Sequence, residues 1–302
     1  MRRSAEVALT CCLLALFTPQ AAGWGFKGHR VIGEMAERRL AKKHPRILEE
    51  IAGLVGPGVH LATLATCADE IRDYARQREK EIETPAFPST CLLTPVEVRS
   101  RFQKTANWHF INIPVTAPTN LAQACPEDCI TKRIDSFTKQ LKDTNLGRKD
   151  RAVALMFLTH LIGDVHQPLH AADRNGDQGG NQVFVRIGKD TRRLHSAWDT
   201  LLVEGTGRSL LSEQDLIELL SDPQFDGAIK KSNKSATSWA WESYDIARKI
   251  AYRDVPLRMT TFEDPIVLPD PSYRDRATHH VRKRLYAASV RLADTLAKAL
   301  GR

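Results

Sequence analysis

Two histidine–aspartate pairs in this chain have a spacing of four, His160 with Asp164 and His195 with Asp199. On a helix that spacing puts both side chains on one face. Imidazole nitrogens and carboxylate oxygens are metal donors. The first pair lies in Phe157-Leu-Thr-His-Leu-Ile-Gly-Asp164, an apolar stretch where a carboxylate is costly to bury unless paired or bound to a cation. A single such pair is more often a core hydrogen bond or a capped helix than a ligand pair. Two pairs, with His170 just beyond Pro168 where the chain can turn back, point to metal binding. Nitrogen and oxygen donors without thiolate suit zinc with positions left open for water. Such a site lowers the pKa of bound water to about 7 and supplies a hydroxide nucleophile at neutral pH. His166 falls about 240° round the helix from His160 and is expected to point elsewhere.

These residues must be carried by helices. Val31, Ile32, Met35, Ala36 and Leu40 share one helical face, and 151–165 is a strongly apolar helix stopped by Pro168. Helices are also expected over 239–252 and 273–299. In the latter, Val281, Leu285, Ala288, Leu292 and Leu296 should pack on the central helices, and the Arg and Lys residues read as a solvated face. Trp239 and Trp241 read as core; His44, His60, His279 and His280 have no ligand-spaced partner. Gln182-Val-Phe-Val-Arg186 alternates polar and apolar before the turn Gly188-Lys-Asp190, predicting a small β-hairpin. The class is mainly α, a single-domain helical fold with long loops and one small hairpin.

Arg2 and Arg3, the apolar run 7–17 and the small residues Ala21-Ala22-Gly23 have the layout of a secretory signal peptide. Cleavage would leave a domain over 24–302, and export to the periplasm or the medium is expected. The run is shorter than the roughly 20 residues that span a bilayer. The net charge of +8 falls to about +7 without Arg2, Arg3 and Glu6, a weak preference for anionic substrates. Four cysteines remain beyond the leader, and an even count in an exported chain suggests two disulfides. Cys125 and Cys129 could close a short loop, leaving Cys67 with Cys91; a thiolate zinc site is the rival reading. Asn233-Lys-Ser235 is one glycosylation sequon.

Six segments then stand in order: Trp24-Gly-Phe-Lys-Gly-His29, Ala68-Asp69-Glu-Ile-Arg72, Trp108-His109-Phe110, Thr159-His-Leu-Ile-Gly-Asp-Val-His-Gln-Pro-Leu-His170, Gly179-Gly-Asn181 and Leu194-His-Ser-Ala-Trp-Asp199. Together they resemble the zinc-dependent single-strand nucleases and 3′-nucleotidases of the mung bean nuclease type, within the phospholipase C/nuclease superfamily. The likeness runs from Trp24 to about Thr200, with a weaker helical tail.

The resemblance implies three zinc ions per chain. One would be held by Asp69, His109, His160 and Asp164. A second would be held by His29, the bridging Asp164, and the α-amino nitrogen and carbonyl oxygen of Trp24. The third would be held by His170, His195 and Asp199. The Trp24 amine exists only after the leader is removed, so the precursor would be inactive; an ordinary buried tryptophan is the alternative. Asp69, Arg72 and Asp164 would serve catalysis, with Arg72 holding a phosphate oxygen; a plain salt bridge is the other reading of Arg72. Phe110 would stack on an unpaired base and Asn181 would hydrogen-bond it, although Phe110 reads equally as core beside Ile111 and Ile113. Asn112 departs from the family, where an acidic residue is expected, and leaves base preference open. The implied activity is hydrolysis of single-stranded DNA and RNA to 5′-phosphorylated products, with 3′-nucleotidase activity. Phospholipid is the rival substrate on the same metal frame. No stable protein partner is implied, and a monomer is expected.

Overall fold

The computed structural model describes residues 24–79, 87, 90–116, 121–205, 210–229 and 235–301; the leader and Asn233 of the sequon lie outside the described residues. The architecture is mainly α and is organised around the helix Arg148–Asp164, in which every residue from Ala152 to Asp164 is buried. A helix that is apolar all round belongs in a core. It is covered by the helices Ile130–Lys142, Gly25–Lys43, Cys67–Glu79 and Ser272–Leu300. Each fully buried Leu, Ile or Phe contributes about 1.5–3 kcal/mol, and Leu155, Phe157, Leu158, Leu161 and Ile162 are all in this class. That apolar burial offsets the cost of the polar groups at the helix's last turn. The expected stripes are in place: Val31, Ile32, Ala36 and Leu40 in the first helix, and Val281, Leu285, Ala288, Leu292 and Leu296 in the last, are buried, with Met35 packed at the margin. No described helix is long and apolar enough to cross a membrane.

The hairpin forms from Phe184–Ile187 and Asp190–Arg193, antiparallel, with Phe184 opposite Arg193 and Ile187 opposite Asp190. It is not alone. A two-residue strand, Ile266–Val267, adds to Phe184–Ile187 in parallel and completes a three-stranded sheet. Two residues are too few for alternation to be read in the sequence.

A second correction concerns the last helix. Arg284 and Arg291 are each only 4% exposed rather than part of a solvated face. Glu242 of the helix Ala236–Ile246 accepts from Arg284 Nη1 at 2.6 Å and from Arg291 Nη1 and Nη2 at 2.7 and 2.8 Å. The carbonyl of His166 accepts from Arg284 Nε at 3.0 Å. Trp239 is buried and Trp241 packs at the core margin, as expected. Disulfides join Cys67 to Cys91 and Cys125 to Cys129, with Cα separations of 5.4 and 5.5 Å, so these sulfurs bind one another and not a metal.

Candidate metal centre

Four separate elements meet at the carboxyl end of the central helix. His160 and Asp164 project from its last turns, four residues apart as the spacing requires. His29 comes from the first helix; its ring stacks on that of His160, with centroids 4.0 Å apart. Gly163 allows this approach, because a Cβ there would lie 2.9 Å from His29 Nδ1. Asp69 and Arg72 come from the helix Cys67–Glu79. His109 ends a short 3-10 turn, Ala106–His109, held by its neighbour Trp108. The Trp108 ring lies 5.3 Å from Phe157 and carries the Arg133 guanidinium over it at 3.9 Å.

The ligand atoms converge. Asp164 Oδ1 is 3.1 Å from His29 Nε2, and its Oδ2 is 2.9 Å from both His109 Nδ1 and His160 Nε2. Asp69 Oδ1 lies 3.5 Å from the same nitrogens of His109 and His160. A second group, His170, His195 and Asp199, gathers beside the first. Pro168 starts a tight turn, Pro168–Ala171, that swings His170 back. The hairpin feeds directly into Leu194–Ser196, and a wide helical turn, Ala197–Leu201, presents Asp199. Gly179 and Gly180 hold positive φ of 64° and 79°. A Cβ on Gly179 would lie 2.3 Å from the Leu169 carbonyl oxygen, and the Gly179 carbonyl accepts from His195 Nδ1 at 2.8 Å. The paired glycines therefore bring backbone close enough to orient a ligand histidine.

The hydrogen bonds fix the tautomers, and the tautomers expose a deficit. A ring nitrogen facing a carbonyl oxygen must carry the proton. His195 Nδ1 faces Gly179 in this way, and His170 Nδ1 faces the His109 carbonyl at 2.7 Å. Both Nε2 atoms are then lone-pair acceptors when the rings are neutral, and they stand 3.1 Å apart. His160 Nδ1 likewise donates to the Ala65 carbonyl at 2.7 Å, turning its Nε2 to the two carboxylates. Both ring nitrogens of His29, both oxygens of Asp69, Asp164 Oδ1 and Asp199 Oδ2 are buried without an aligned hydrogen bond. Acceptors crowded at this density need a cation between them. The donor set is imidazole and carboxylate, which fits zinc.

The local fields treat the histidines differently. Burial pushes His109 down to about 4, and burial with His170 alongside pushes His195 down to about 3, so both are held neutral. Burial opposes a charge on His160, but Asp164 and Asp69 outweigh it and lift the imidazole to about 10. Burial, with the carboxylates of Asp164 and Asp69 adding to it against the Gln167 hydrogen bond, drives Asp199 well above the ordinary carboxylate range.

A cleft of about 360 Å³ opens onto these groups and is lined by Arg72, Phe110, Asn112, Asn181, His170 and His195 among others. Arg72 is buried, 2.6 Å from Asp69 Oδ1, and also donates to Asp73; it is both an ion-pair partner and a wall of the cleft. Phe110 is half-buried. Ile111 and Ile113 point to the core, and the alternation leaves Phe110 and Asn112 towards the cleft. Asn181 donates to the Gln178 carbonyl at 3.0 Å, while its Oδ1 finds no partner. Trp24 is fully buried and its indole donates to the Gly163 carbonyl at 2.8 Å, one residue from Asp164. His166 points away, as its position implies, donating from Nδ1 to the Ile162 carbonyl and accepting from Arg291 at Nε2. The expectations from sequence did not include Arg76, which lines the cleft one turn beyond Arg72, or Gln167, which is fully buried beside Asp199. The i, i+4 spacing from Arg72 was the available signal for Arg76; Gln167 carried none, since a polar residue just past a helix reads as loop.

Comparison with known proteins yields one family. A model described as S1/P1 Nuclease matches residues 24–301, so the likeness extends through the last helix and well past Thr200. Endonuclease 4 of Arabidopsis thaliana is 28% identical over 90% of this chain and 88% of its own length. Nuclease S1 of Aspergillus oryzae is 28% identical over 72% of this chain and 67% of its own. Nuclease P1 of Penicillium citrinum is 28% identical over 59% of this chain and 58% of its own.

Proposed function

We propose, from the premise that this chain belongs to the S1/P1 nuclease family and is an endonuclease-type hydrolase, that it is a three-zinc enzyme acting on single-stranded DNA and RNA. Its products would carry 5′-phosphates, and it would also hydrolyse 3′-nucleotides. The observation that carries this reading is the excess of buried acceptors. His170 Nε2 faces His195 Nε2 at 3.1 Å, and Asp69, Asp164 and Asp199 each keep an unpartnered oxygen.

The first ion would take Asp69, His109, His160 and Asp164; the second His29, Asp164 and the Trp24 backbone; the third His170, His195 and Asp199. When bound, zinc supplies an activated water as nucleophile and electrostatic stabilisation of charge developing on the phosphate. The chain's own residues supply the positioning. Ala65, His109 and Gly179 carbonyls hold the protons of His160, His170 and His195 on the far ring nitrogens, leaving the other nitrogens free to ligate. Arg72 is held by Asp69 and Asp73 at the cleft wall, where its guanidinium can grip a phosphate oxygen in the transition state. Phe110 offers a ring face to an unpaired base, and Asn181 Oδ1 an acceptor for a base amino group. Duplex bases, already stacked and paired, cannot use this platform, which accounts for a single-strand preference.

We further propose that the chain is exported, acts as a monomer, and acquires its second zinc only after residues 1–23 are removed and the Trp24 amine is freed. An amine with a pKa near 7.7–8.0 readily yields its proton to a metal. The test is an assay of the chain beginning at Trp24, against a form with one extra preceding residue, on single-stranded DNA, RNA, a 3′-nucleotide and phosphatidylcholine. Cleavage of the first three by the Trp24 form alone is expected. Hydrolysis of the lipid alone would overturn the nucleic-acid reading, and full activity of the extended form would overturn the amine's role.

A further inference from the structure

Gln167 bonds to Asp164, His170 and Asp199 of the metal centre, yet it is not among the ligand groups. It is fully buried. Its backbone N–H donates to the Asp164 carbonyl at 2.9 Å, and its own carbonyl accepts from the His170 N–H at 3.1 Å. Its side chain continues the link. Nε2 donates to Asp199 Oδ1 at 2.6 Å, while Oε1 accepts from the Leu169 N–H. The orientation of that amide is not arbitrary. The Leu169 N–H is a donor only, so it must face the oxygen; the amino end is then forced toward Asp199.

We propose that Gln167 is the positioning residue of the third metal site, fixing Asp199 so that Oδ2 alone is presented for ligation. The consequence is visible in the carboxylate: Oδ1 is engaged by Gln167, whereas Oδ2 is buried without a hydrogen bond and lies 3.5 Å from His195 Nε2. Among the described residues, Gln167 supplies the one hydrogen bond to the Asp199 side chain, which stands on the wide turn Ala197–Leu201. Because the same residue bonds the backbones of Asp164 and His170, it also sets the third site's register against the zinc pair. Outer partners of this sort hold a ligand in the metal-ready orientation, and losing one weakens metal binding by about 10–100-fold.

This inference rests on the three-zinc reading, and its test separates the two. Gln167→Met removes both side-chain hydrogen bonds at similar volume. Gln167→Glu keeps an acceptor for the Leu169 N–H but places an oxygen against Asp199. Zinc per chain and the affinity of the weakest ion would be measured by chelator competition on wild type and both variants, with the thermal transition of each metal-free protein alongside. The expected result is three ions in wild type. In both variants, two would bind as before and the third about 10–100-fold more weakly, with metal-free transitions close to wild type for Gln167→Glu. Three ions at wild-type affinity in both variants would overturn the role of Gln167. Uniform weakening of all three would reduce it to a general structural residue and overturn it equally. Two ions in wild type would overturn the three-zinc reading and this assignment with it.

Discussion

Two buried polar clusters flank the last turn of the central helix, and they are built on opposite principles. Behind it, Glu242 is matched against Arg284 and Arg291, whose remaining donors reach the His166 and Trp239 carbonyls, Ser243 and His166 Nε2. Hydrogen-bond donors and acceptors are in near balance there, with Arg291 Nε left over. In front, three carboxylates and the lone pairs of several imidazoles converge, with the Arg72 guanidinium paired to Asp69, and the unpartnered atoms are chiefly acceptors. Both clusters are buried and both contain histidine and carboxylate, so burial and residue type do not distinguish them. The balance of donors and acceptors does. A cluster whose donors and acceptors match one another holds the fold together; one with surplus lone pairs invites a cation.

This contrast can be broken by deleting one carboxylate from each side. Asp164→Ala should abolish the zinc pair and lower kcat/KM on single-stranded DNA by about 10³-fold or more. Asp164 also pairs with His109 and His160 in the metal-free protein, so the thermal transition in chelator should fall as well; the readout that separates the two sides is zinc content, and full zinc content in Asp164→Ala would contradict the distinction. Glu242→Ala should differ in that readout. It leaves two buried guanidiniums without their carboxylate, a loss of about 3–5 kcal/mol in denaturant unfolding, with zinc content retained in the folded fraction.

A smaller effect tests the front cluster's wall. Arg72→Lys keeps the charge but loses the planar fork, and should lower kcat by about 10–10²-fold with zinc stoichiometry intact. Unchanged kcat would reduce Arg72 to a partner for Asp69 and Asp73. The smallest effect lies behind. Burial, with Arg284 and Arg291 adjacent, holds His166 well below its ordinary 6.5, so it is neutral in the fold. The unfolded chain takes up that proton as pH falls below 6.5, so the fold's advantage is full above that pH and shrinks below it. The cost approaches about 1.4 kcal/mol per pH unit. In chelator, wild type should lose stability more steeply than His166→Gln between pH 6.5 and 5; parallel curves would contradict the placement of His166.

Much of the front cluster was legible in the chain because its chemistry has local spacing. His160 with Asp164, and His195 with Asp199, are each one helical turn apart, and His170 follows a proline stop. Asp69 and His109 carry no such signal; they come from other elements and were reached through resemblance to a family. The back cluster was misread. Helical periodicity marks the apolar positions of the last helix, and Arg284 and Arg291 stand among its cationic residues with nothing in the order of residues to reveal Glu242 opposite them. Gln167 and the strand Ile266–Val267 were invisible for a related reason: a single amide and a two-residue pairing acquire meaning only from what the fold sets against them.

The most direct test is zinc-edge anomalous diffraction from crystals of the chain beginning at Trp24. Three peaks are expected, each about 2.0–2.2 Å from its ligand atoms: one among Asp69, His109, His160 and Asp164, one among His29, Asp164 and the Trp24 amine, and one among His170, His195 and Asp199. A map with no anomalous density in this cleft, and with His170 and His195 turned apart, would contradict the claim that the surplus of buried acceptors is a metal site.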